Sequence, residues 1–110
     1  MNTYRVQLTP DAKQDLLDAA RYVAEASGSK DVALAWYERM QNAVMRLADM
    51  PRSYAYAREN EAFEEEVRQV VHLSHRLIFT IHDDLGLVLI HRIWHTAREN
   101  AGPDDLGGVD

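Results

Sequence analysis

The chain has 110 residues, a formal charge of −6 and no cysteine. That length suits one domain with a single core, burying about two-thirds of the unfolded surface. The missing thiols exclude disulfides, thiolate metal sites and cysteine nucleophiles, and the acidic balance argues against tight non-specific binding to nucleic acid, where Lys and Arg on phosphates supply the affinity.

The first fifteen residues contain no apolar signal core, and no run approaches the roughly 18 apolar residues of a membrane span. A cytoplasmic protein without a membrane partner is the expectation. Tyr4-Arg5-Val6-Gln7-Leu8 alternates as a strand does. Thr9-Pro10-Asp11 then supplies a helix cap, a proline for the first turn and an acid beside the helix dipole. Ala12, Leu16, Ala19, Ala20 and Val23 recur at helical spacing, predicting a helix over roughly 10–26 that Ser27-Gly28-Ser29 ends. Val32, Trp36, Met40, Ala43, Val44 and Leu47 mark one face of a second helix, roughly 30–49, which Pro51 forbids from continuing. The short break between them implies an antiparallel helical hairpin.

From Arg52 to Glu66 neither period dominates, and the segment reads as a loop with at most a short helical turn. Five acids between Glu59 and Glu66 read as a solvated charged surface. Val67 to Leu73 supplies a strand. Residues 76–82 and 87–94 form two more around Asp83-Asp84-Leu85-Gly86. Pairing His82 with Leu87 puts Leu77, Phe79, Ile81, Val88, Ile90 and Trp94 on a packing face, and Arg76, Ile78, Thr80, Leu89 and His91 on the other. In this register Arg92 pairs with Leu77 and bridges an acid or lays its stem on apolar surface. The fold class is α+β, in the order β-α-α-β-β-β, with the helical hairpin on one face of a small, mostly antiparallel sheet. Residues 1–100 form the domain and 101–110 a flexible acidic tail.

All five histidines, His72, His75, His82, His91 and His95, fall in the last 40 residues. A metal site needs three or four convergent ligands. Strand alternation sends His72 and His75 to opposite faces and the spacing separates His82 from His91, so no metal is expected. Trp36 and Trp94 read as core aromatics, and Met40, Met45 and Met50 as fillers of helix faces. No phosphate-cradling glycine loop, nucleophile elbow or dinucleotide fingerprint is present, and no cofactor is expected.

Several of these segments, taken in order, resemble the RelE/ParE superfamily of toxins from bacterial type II toxin–antitoxin systems, the plasmid stabilisation proteins. They are LTPDAKQDLLDAARYV, the second helix ending in LADMP, EEVRQVVHL, HRLIFTIHDD and VLIHRIWHTARE. The likeness spans roughly residues 4–99. It implies a small α+β domain with a functional sheet face, neutralised by an antitoxin encoded beside it that alone contacts DNA directly.

Two activities compete within that superfamily. RelE-like members cut messenger RNA in the ribosome, and ParE-like members inhibit DNA gyrase. The resemblance aligns Arg76 and Arg98 with arginines that the nucleases use at the scissile phosphate. Phosphodiester cleavage needs such cations together with an acid and a base. His95, three residues before Arg98, is the acid–base candidate because an unperturbed histidine titrates near pH 6.5. Superfamily nucleases place a tyrosine after the last strand, whereas Thr96 follows His95 here and no aromatic lies beyond Ala97. The reading is therefore a ParE-like toxin that binds a macromolecular target such as gyrase. A ribosome-dependent nuclease using Arg76, Arg98 and His95 is the alternative, and an inactive autoregulatory binding partner is the second.

Overall fold

The computed structural model describes residues 3–102 and 105–106. β1 (Arg5–Leu8) passes straight into α1 (Pro10–Ser27) through Thr9. The Thr9 hydroxyl accepts from the Ala12 N–H at 3.1 Å and donates to the His91 carbonyl at 2.9 Å. One side chain thus caps the helix and ties it to the last strand. Gly28, at φ 69°, closes α1 with its N–H on the Ala24 carbonyl, and Ser29 caps α2 (Lys30–Arg46). The left-handed conformation that ends α1 costs a residue without Cβ little. α2 stops three residues short of the expected end because Leu47, Ala48 and Asp49 bond back to Val44, Met45 and Arg46, tightening the last turn ahead of Pro51.

Two short 3-10 turns, Pro51–Ser53 and Asn60–Ala62, interrupt the loop before β2 (Val67–His72). β3 (His75–His82) and β4 (Leu87–His95) complete the order β-α-α-β-β-β. The sheet runs β1-β4-β3-β2, with β2, β3 and β4 antiparallel and β1 parallel to β4. Both helices pack on one face over Leu77, Phe79, Val88, Ile90 and Ile93. Ala12, Leu16, Met40, Ala43, Val44 and Leu47 supply the helical side of this core. On α2 the seam begins at Ala33, while Val32 is half exposed.

His82 does pair with Leu87, but the register slips once. Phe79 faces Ile90 while Ile78 faces Arg92, leaving His91 as an extra residue on β4. Such a bulge reverses the alternation beyond it. Ile93, not Arg92, therefore pairs with Leu77 in the helix-side core, and Trp94 moves to the opposite face. There Val67, Ile78, Trp94, Ala57 and Ala101 form a second, smaller core. Met45 and Met50 are exposed, in contrast to buried Met40. Among the described residues, no helix is long and apolar enough to cross a membrane.

Candidate functional site

Arg76 stands on β3, an interior strand, opposite Trp94 on β4. Its side chain is 2% exposed. A guanidinium cannot be buried there without a counter-charge. Glu59 supplies it, with Nη1 and Nη2 each 2.8 Å from a carboxylate oxygen, and Gln69 accepts a further bond from Nη1 at 2.8 Å. The same carboxylate accepts from the Ala101 N–H at 2.8 Å. Burial alone would push the Glu59 carboxyl up, but the bonds from Arg76 and Ala101 outweigh it and hold the group below its ordinary value.

Glu59 thus departs from the solvated surface expected of its segment, whereas Glu61, Glu64, Glu65 and Glu66 are exposed. Nothing local distinguishes it from the other acids. The available signal was Arg76 itself, since a cation on an interior strand requires a partner.

Arg98 lies exposed beyond β4, its guanidinium 4.0 Å from the centre of the Trp94 ring. Arg76 and Arg98 therefore border the same tryptophan on the face opposite the helices. His95 is also exposed, and its Nδ1 accepts from the Ala97 N–H at 3.0 Å. The Arg92 guanidinium also lies 4.9 Å from the centre of that ring, so the hairpin's three arginines gather around Trp94, but counter-charges keep two of them from forming a cationic patch. Arg76 is neutralised by Glu59, and Arg92 by Asp15 of α1 through bonds of 2.7 and 2.8 Å.

The histidines are arranged differently from the expectation. A two-residue turn of Leu73 and Ser74, both at positive φ, makes His72 and His75 cross-strand partners, and His75 in turn pairs with His95. Cross-strand partners share a face, so these three form a row rather than dividing between faces. His75 meets the Trp36 edge at 5.4 Å, and burial lowers its pKa. His91 lies against Thr80, on the face that the alternation assigns to both, and Thr80 lies two residues from His82 on β3. The Thr80 hydroxyl sits 2.8 Å from His91 Nε2 and 2.7 Å from His82 Nε2. With a single hydrogen, that hydroxyl donates to one imidazole and accepts from the other. Thr80 and His91 floor a cavity of about 300 Å³ whose walls include Phe63, Glu64, Glu65 and Val67. Among the described residues, no three histidines or carboxylates converge to hold a metal ion.

On the helix side, Val6, Leu8, Leu16, Val44 and Met45 line an apolar groove of about 180 Å³ beside β1. β1 is an edge strand of the sheet.

The fold is similar to that of a chain in the chromosomal ParDE toxin–antitoxin system from P. aeruginosa. The two share 18% identity and a TM-score of 0.70 over 86% of this chain and 98% of the other. It is also similar to a chain of the RelBE2 toxin–antitoxin complex from Mycobacterium tuberculosis, at 23% identity and a TM-score of 0.58 over 89% and 97% of the two chains. No curated protein sequence matches. Residues 6–100 match the family model of the ParE toxin of the type II toxin–antitoxin system parDE. With that match spanning nearly every element of the fold, the chain belongs to the ParE toxin family of type II toxin–antitoxin systems.

Proposed function

We propose that this toxin acts by binding a protein target of the ParE kind, DNA gyrase, rather than by cutting messenger RNA. The observation that carries this reading is the state of Arg76. Its guanidinium is buried and engaged by Glu59 and Gln69 at 2.8 Å. A phosphate could reach it only by displacing the Glu59 carboxylate. Cleavage chemistry would then rest on Arg98 and His95 alone, without the second cation that stabilises a pentavalent phosphate. The net charge of −6 also disfavours docking on ribosomal RNA.

The family match supports a cognate antitoxin as the neutralising partner. The apolar groove beside β1 suits the apolar face of a partner helix, and the outer edge of β1 suits an added strand.

The test is a gyrase supercoiling assay with purified toxin, run beside primer extension on translated and untranslated messages after brief induction. Blocked supercoiling with intact message is the expected result. Cuts confined to translated message and lost in Arg98→Ala would overturn the reading in favour of a ribosome-dependent nuclease. Neither effect would leave an inactive, autoregulatory binding partner.

A further inference from the structure

The face opposite the helices is covered by the chain itself. After β4 the backbone turns through Thr96, whose N–H bonds to the Ser74 carbonyl at 2.9 Å, and residues 97–102 cross over the second core. Among the described residues, beyond the turn bonds of Ala97 and Arg98 to His95 and the apolar seat of Ala101, three contacts tie this segment to the rest of the fold. Arg98 stacks on Trp94 at 4.0 Å, Arg58 donates to the Arg98 carbonyl at 3.0 Å, and the Ala101 N–H reaches Glu59 at 2.8 Å. Residues 97–102 form no helix or strand, and Ala101 is the one residue among them that is fully buried. The fastening is light compared with the ladders of β3 and β4 beneath it.

The closed arrangement also leaves two buried donors unsatisfied. Among the described residues, neither Trp94 Nε1 nor Arg76 Nε has a hydrogen-bond acceptor, although Trp94 is 3% exposed and Arg76 2%. Buried donors without acceptors are uncommon and destabilising. Both belong to the cross-strand pair that adjoins the covering segment.

We propose that residues 97–102 are a displaceable strap over a protein-docking face, and that an extended segment of the target protein takes its place. The incoming segment carries a small apolar side chain in the Ala101 position and a backbone N–H for Glu59. Its carbonyl oxygens satisfy Trp94 Nε1 and Arg76 Nε, which the strap does not. Opening uncovers Trp94, Ile78 and Val67 while the helix-side core stays intact. The proposal rests on the reading that the toxin acts by binding a protein.

Residue-resolved amide exchange on the full chain tests the strap without reference to toxicity. The Ala101 amide is expected to exchange on the order of 100-fold faster than those of Leu77 and Ile90, as a locally opening unit does. Equal rates would mean that the strap leaves only on global unfolding, which overturns the proposal. Ala101→Asp sets a second carboxylate beside Glu59 and expels the strap, and Arg58→Ala loosens it from outside the buried face. Both variants should unfold cooperatively and arrest growth at a several-fold lower inducer dose than the parent. A folded variant needing the same or a higher dose overturns the proposal. If even the parent toxin neither arrests growth nor inhibits gyrase, the target-binding reading fails, and the exchange rates still decide the strap.

Discussion

Arg76 and Glu59, seventeen positions apart, form a two-pronged ion pair with both bonds at 2.8 Å and both side chains at most 2% exposed. The pair joins an interior strand to the acidic loop, and through the Ala101 N–H to the segment beyond β4. Removing one member strands the other charge in a site without solvent. Arg76→Ala is expected to cost about 3–5 kcal/mol in urea unfolding, whereas Arg76→Met combined with Glu59→Gln should recover most of that loss. Equal destabilisation by the single and double variants would refute this account of the pair.

The pair also sets a pH dependence. Glu59 is held below its unfolded value of about 4.3, so its contribution is fully present above that pH and is lost as pH falls through the lower folded value. Stability should therefore fall below roughly pH 4.5, and Glu59→Gln should flatten that limb while lowering stability at pH 7. Asp83 is lowered in the same sense by Arg52 and Tyr4, but it lies at the surface, where solvent screens the effect. Urea midpoints at pH 7 and near pH 3.5 separate the two carboxylates if Asp83→Asn is measured alongside.

Asp15 does two jobs at the edge of β4 beyond the reach of β1. It binds Arg92 and accepts from the Ile93 N–H at 3.0 Å, satisfying a strand donor that would otherwise face a helix. Asp15→Ala is expected to cost about 2–3 kcal/mol, and Asp15→Asn about half as much because the amide oxygen still meets Ile93. Equal losses would mean that the ion pair, and not the edge cap, carries the effect.

The turn from β2 to β3 holds Leu73 at φ 51° and Ser74 at φ 66°. Hairpin turns of this kind favour glycine, and an ordinary side chain there is strained. Ser74→Gly should raise stability by about 0.5–1 kcal/mol, since the side chain is exposed and makes no packing contribution. A lower melting temperature would show that strain at Ser74 is not limiting.

The helices were legible because their signals are local. Thr9-Pro10, Gly28, Ser29 and Pro51 mark ends through capping and steric rules that act within a few residues, and the apolar spacing of Ala12, Leu16, Met40, Ala43, Val44 and Leu47 identifies the buried seam. The hairpin from β3 to β4 was legible for the same reason, down to the pairing of His82 with Leu87. Those elements and their order are what the sequence by itself determined, together with the segments by which it resembles the toxin family.

Tertiary structure decided the candidate site. One extra residue at His91 moved Ile93 into the helix-side core and Trp94 to the other face, because strand parity carries a single slip to every later position. The one-residue slip does not show in the apolar and polar pattern of Val88 to Trp94, where either His91 or Arg92 could be the extra residue. Likewise the turn at Leu73 and Ser74 placed His72 and His75 side by side, and chain folding chose Glu59 from five neighbouring acids as the counter-charge of Arg76. Which acid meets a buried cation depends on where the loop returns to the sheet, a long-range property that no window of sequence contains.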